Sequence, residues 1–264
     1  MLLTWLRDRK RREITAEAFP DAWLSVLRRN VPQFAWLTTL EQARLQDDLR
    51  IFIAEKSWEG CRGLVLTDEM RVTVAGYAML IALKQAHDYY PNVESILIYP
   101  ASYVVPGRQT FGPFGTVTET NDHRAGEAWS SDLPIVISWT DALEGARHTD
   151  DGYNIVIHEF THKLDGRDGS SNGVPPLDSG PTAPSYERWE QVMSARYNQL
   201  VALSHSGIHS VLNPYGATNA AEFFAVSTEC FFERPAILAE ALPDLYALLR
   251  DYYGFDFAKR APAE

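Results

Sequence analysis

The chain has 264 residues, 45% of them hydrophobic and 22% charged, a balance that excludes disordered, collagen-like and low-complexity chains. At about 150 residues per domain it suits one large domain or two small ones. Its 24 Lys and Arg stand against 35 Asp and Glu, a formal charge of −11, which argues against a broad phosphate-binding surface and so against direct nucleic-acid binding.

Cys61 and Cys230 lie far apart and form no CxxC, which leaves neither a disulfide framework nor a cysteine zinc ribbon and fits a reducing compartment. The chain opens with apolar Met1 to Leu6, and a cation cluster from Arg7 to Arg12 follows. That order is the reverse of a signal peptide. It reads as a basic tail over residues 1–20, solvated or serving as a weak peripheral anchor. The most apolar internal run, Val74 to Leu83, is well short of the ~18 residues that span a bilayer. A cytoplasmic protein without a membrane span is expected.

In chain order, apolar residues at Trp23, Val26 and Leu27, then at Leu40, Leu45, Leu49, Phe52 and Ile53, predict helices between Pro20 and Glu55. Thr67-Asp68-Glu69 caps a run from Val72 to Leu83 that is apolar nearly all round, the pattern of a buried helix. Ser95–Tyr99, Tyr103–Val105 and Leu133–Trp139 read as strands, with Pro134 placing the last near a sheet edge. Glycines between Gly107 and Glu127, and the Gly, Pro and Ser residues from Gly166 to Pro184, predict loops. Trp189, Val192, Met193, Tyr197 and Leu200 then recur at helical spacing. The pattern predicts a single α+β domain over residues 21–264, a small mixed sheet with helical N- and C-terminal parts.

The stretch Asn154 to Asp165 contains His158-Glu159-Phe160-Thr161-His162, an H-E-x-x-H. Histidines at i and i+4 share one helix face and can meet one zinc ion. Glu159 then stands to one side, where it can take a proton from water instead of coordinating. With seven histidines, a chance match arises on the order of one time in a hundred. The flanking Ile155, Val156, Ile157, Phe160 and Leu164 bury the helix, and buried polar side chains need partners. A catalytic zinc site takes three protein ligands. The run from Tyr215 to Glu233 reads as a helix with Asn219 as its N-cap, carrying Glu222, Glu229 and Glu233 among large apolar residues. Spacing alone ranks Glu222 only slightly above Glu229 as the third ligand. His87, His148, His205 and His209 lack ligand spacing, and no G-x-S-x-G, Walker lysine loop or G-x-G-x-x-G occurs.

The segments H-E-F-T-H-K-L-D-G at 158–166, N-G-V-P at 172–175 and Y-G-A-T-x-x-A-E-F-F-A-V-x-x-E-x-F-F-E at 215–233 resemble the Mlc titration factor A family of bacterial zinc peptidases. G-L-V-L-T at 63–67, I-L-I-Y-P at 96–100 and I-V-I-S-W at 135–139 extend the likeness over most of the chain. The resemblance implies a zincin-like metallopeptidase domain with a gluzincin-like site, its core similar to the protease domain of anthrax lethal factor. It implies one Zn2+ per chain held by His158, His162 and Glu222, with Glu159 as general base. Tyr215, seven residues before Glu222, is implied as the donor to the developing oxyanion. Asp165 or Glu229 is expected to accept the second N–H of a ligand histidine.

Enterobacterial relatives carry a further upstream histidine whose position here holds Thr118, with His123 out of register. The implied activity is aminopeptidase-like hydrolysis of a peptide substrate, linked to the glucose phosphotransferase system through the repressor Mlc. The alternative is a mainly non-catalytic protein that sequesters a transcriptional repressor.

Overall fold

The computed structural model describes residues 2–85, 88–101, 134–177 and 183–261. The expected strand at Tyr103–Val105, the loop at 107–127, Thr118, His123 and His87 lie outside them. Helix α1 (Leu2–Thr15) precedes α2 (Asp21–Asn30) and α3 (Thr39–Glu55). α3 starts in a capping box: the Thr38 side chain accepts from the Glu41 amide and the Glu41 side chain accepts from the Thr38 amide. One side of α3 buries Leu45, Leu49 and Phe52 completely.

Strand β1 (Ser57–Gly60) leads to α4 (Asp68–Ala82), which Thr67 caps by accepting from the Met70 amide. As its composition predicts, α4 is buried along nearly its whole length. β2 (Ser95–Tyr99) pairs in parallel with β1 on one side and with β3 (Ile135–Ser138) on the other. The sheet among the described residues is therefore parallel, not mixed. A parallel pair needs a crossover, and α4 is the crossover between β1 and β2. Among the described residues β3 lies at one edge of the three-strand order, the place that Pro134 suggests. Trp139, expected as the last residue of that strand, instead begins α5 (Trp139–Arg147), because the Ser138 side chain caps the Asp141 amide and turns the chain into a helix.

The second half is helical: α6 (Ile155–Asp165), α7 (Tyr186–His205), α8 (Ala220–Glu233), α9 (Pro235–Ala241) and α10 (Pro243–Tyr253). α8 is buried from Ala221 to Glu233. It packs on α6, and α4 packs on α6 from elsewhere, so two apolar helices enclose the one bearing the two histidines. Phe231 and Phe232 fix the far end of α8 by ring contacts with Tyr253 and Phe257. Burying aromatic rings of this size is the largest apolar gain per residue available to a core. That anchorage makes α8 a rigid base for the carboxylates it carries.

Candidate metal centre

α6 begins where the Asn154 side chain accepts from the amides of Val156 and Ile157. From there one helical turn separates His158 from His162, and both are buried. α8 begins where the Asn219 side chain accepts from the Glu222 amide at 3.0 Å, so the cap sets the first turn from which Glu222 projects. The two helices bring His158, His162 and Glu222 together, one potential ligand atom of each lying within 4.8 Å of the others. Among the described residues no other group of this kind occurs.

The atoms are closer than that bound. His158 Nε2 lies 3.0 Å and His162 Nε2 3.4 Å from Glu222 Oε2, and the two Nε2 atoms are 3.2 Å apart. Three lone-pair atoms at such separations repel unless a cation, proton or metal, sits among them. A tetrahedral zinc with ligands at ~2.0–2.1 Å has ligand-to-ligand edges of roughly 3.3–3.4 Å, so these residues fit the ion by size and by donor type. Without a metal, a proton on the imidazoles answers the Glu222 charge. Burial pushes the Glu222 carboxyl up, but hydrogen bonds from His158 and His162 outweigh it and hold the group well below the usual carboxylate range. Burial likewise opposes charging His158, but Glu229 and Glu222 outweigh it and hold the imidazole well above its ordinary value.

Glu229 stands two turns along α8 and does what spacing left open between it and Asp165. Its Oε1 lies 2.7 Å from His158 Nδ1, and its Oε2 accepts from the Asn154 amide at 2.7 Å. With Nδ1–H engaged, the Nε2 lone pair of His158 is turned toward the metal position. Asp165 has a different partner: its Oδ2 accepts from the Gly173 amide at 2.8 Å, tying the end of α6 to the Asn172-Gly173 loop. Asn154 completes a clamp that sequence reasoning missed, since its Nδ2 also donates to Glu233 Oε1 at 3.1 Å. Burial drives the Glu233 carboxyl well above its ordinary value. The only sequence signal for this clamp was the excess of carboxylates in an apolar helix.

Replacing Glu229 by Gln tests that arrangement. Two N–H donors face its two oxygens, whereas an amide offers one acceptor and one donor, so one contact must fail. Zinc affinity is expected to fall about 10–100-fold, read by competition with a chromogenic chelator. Unchanged affinity would mean that Glu229 does not set the imidazole.

Glu159 is half-buried beside the three. Burial pushes its carboxyl up while the charges of His158 and His162 pull it back. Tyr215 lies in a short 3-10 turn (Pro214–Ala217) that begins where Asn213 accepts from the Tyr215 amide. Its ring centroid is 5.9 Å from that of His158. Gly216 lets this turn sit against α7 and α8, since a Cβ there would meet Leu200 at 3.1 Å and Val226 at 3.3 Å. His148, His205 and His209 are exposed.

Residues 5–254 match the family described as glucose-regulated metallo-peptidase M90. Uncharacterized protein slr2042 of Synechocystis is 36% identical over 250 residues, 94% of this chain and 89% of that one. Mlc titration factor A of Serratia proteamaculans is 32% identical over 86% of this chain and 84% of its own length. Mlc titration factor A of Yersinia pestis is 29% identical over 96% and 89% respectively. The histidines and carboxylate that meet at one point thus lie within a match spanning almost the whole chain, which belongs to the M90 metallopeptidase family together with the Mlc titration factor A proteins.

Proposed function

We propose that the chain is a zinc-dependent peptidase with aminopeptidase-like specificity, its single peptidase domain formed by residues 21–264. His158, His162 and Glu222 are the metal ligands, one Zn2+ per chain. The observation that carries this reading is the triangle of lone-pair atoms 3.0–3.4 Å apart, with a carboxyl group next to it that is not part of the triangle. When bound, zinc supplies a Lewis acid to the scissile carbonyl. Glu159 takes a proton from the attacking water and returns it to the leaving amine. Tyr215 donates a hydrogen bond to the oxygen on which charge develops. The outer edge of β3, which leads into α5 near α6, holds an extended peptide by main-chain pairing.

A cytoplasmic role in titrating an Mlc-like transcriptional repressor is the second reading, favoured by the name that two relatives carry. A surface of net charge −11 suits a basic DNA-binding partner. The test of the enzyme reading is metal content with turnover of alanyl chromogenic amides, for wild type and Glu222→Ala. One zinc per wild-type chain, and loss of both zinc and turnover in the variant, is the expected result. A folded wild-type protein that takes up no zinc and stays inactive would sink the enzyme reading and leave the repressor role.

A further inference from the structure

Helix α1 contributes nothing to the metal centre, and its two sides have different fates. One side faces the body of the protein. There Arg11 donates to Glu55 and Asp88, each at 2.7 Å, with its guanidinium 4.4 Å from the Tyr89 ring centroid, and Arg7 pairs with Asp88 at 2.6 Å. These pairs fix the helix on the surface and use up those two cations. At 100° per residue, the opposite side gathers Trp5, Leu6, Arg9, Arg12 and Glu13, with Asp8 and Lys10 on its two flanks. All seven are exposed, Trp5 at 51% and Leu6 at 47%. Arg9 lies over the Trp5 ring and pairs with Glu13. Among the described residues no carboxylate lies within ion-pair distance of Lys10 or Arg12.

Large apolar side chains at one end and cations in the next turns, exposed along the outward side, are the arrangement of a helix lying in a membrane interface. Trp has a particular preference for the headgroup level. With Arg7 and Arg11 paired to the body, the exposed cations of the helix are Arg9, Lys10 and Arg12 against Asp8 and Glu13, a net positive stretch in a chain whose overall charge is −11. This stretch is complementary to an anionic surface. A protein partner would more naturally meet a concave or flat apolar patch, whereas a single ridge of Trp, Leu and cations matches a fluid headgroup layer. We propose that the outward face of α1 docks the protein peripherally on anionic lipid bilayers. Among the described residues no helix is long and apolar enough to cross a membrane, so the attachment is reversible and salt-sensitive.

The test uses the full chain with vesicles of phosphatidylcholine alone and of phosphatidylcholine containing phosphatidylserine, read by co-sedimentation. Binding is expected only to the vesicles with phosphatidylserine, and is expected to weaken as salt rises. Arg12→Glu should lower the partition coefficient by more than the roughly fivefold that one cation contributes. Trp5→Ala with Leu6→Ala should lower it by about tenfold. Zinc content and circular dichroism should stay unchanged in both variants, since the altered side chains are exposed. Equal binding to both vesicle types, or none to either, would overturn the proposal. So would a dimer in solution that Trp5→Ala dissociates while no vesicle is bound, because the face would then belong to a second copy of the chain.

Discussion

Glu159→Gln is expected to lower peptide turnover by on the order of a thousandfold while zinc stays at one per chain. The amide is nearly isosteric and can still hydrogen-bond to water, but it cannot take a proton from it, so the loss isolates the general-base contribution. Glu159 is a neighbour of the ligand triangle and not a corner of it, since the atoms that converge there belong to His158, His162 and Glu222. Metal retention therefore separates this variant from Glu222→Ala, in which both metal and turnover are lost. Zinc analysis and single-turnover kinetics on the same preparation check the prediction. A variant that keeps zinc and wild-type turnover would remove Glu159 from the mechanism. The same protein also addresses the repressor-titrating role. If Glu159→Gln still binds an Mlc-like repressor, binding and hydrolysis are separable; if it does not, binding depends on the active-site region.

What could be read from the chain follows from the range of each interaction. His158, Glu159 and His162 are legible because their geometry is local: a helix converts a spacing of four into a shared face. The caps Thr67 and Asn219 are legible for the same reason, each acting on an amide three residues on. Glu222 lies 60 or more positions from both histidines, and spacing could not choose firmly between it and Glu229. The fold separates them, since Glu222 reaches both Nε2 atoms and Glu229 reaches Nδ1 of His158 from behind. The contact of Asn154 with Glu229 and Glu233 joins residues 75 and 79 apart, which no periodicity encodes.

The strand at Ser57–Gly60 was missed for a related reason. Ser57-Trp58-Glu59-Gly60 has neither the length nor the β-branched residues of a strand signal, and β1 exists because β2 offers it a parallel partner. At Trp139 two local signals compete, and the Ser138 cap overrides the apolar alternation that precedes it.

Gly173→Ala is expected to destabilise the fold by about 3 kcal/mol and to weaken zinc binding with it, because one glycine holds three elements in register. Its φ is +80°, where an L side chain costs about 1–2 kcal/mol. A Cβ there would also fall against the backbone carbonyl of Ala220, far inside contact distance, adding the 1–3 kcal/mol typical of overpacking. That carbonyl belongs to the first residue of α8, two positions before Glu222. The Gly173 amide donates to Asp165 at the end of α6 and its carbonyl accepts from Trp189 Nε1 at 2.9 Å on α7. Relief of the clash must therefore move the loop away from Asp165 and Trp189 or move the start of α8, and the second displaces a ligand.

Gly169 provides the control. It too has a positive φ, +92°, but a Cβ added there meets nothing within 4 Å. Gly169→Ala should cost only the conformational part, about 1–2 kcal/mol, with zinc affinity intact. Denaturant unfolding of the two variants, together with chelator competition for zinc, measures both effects. Equal stability losses would mean that the loop yields freely. The close approach of Gly173 to α8 would then not be what sets the position of Glu222.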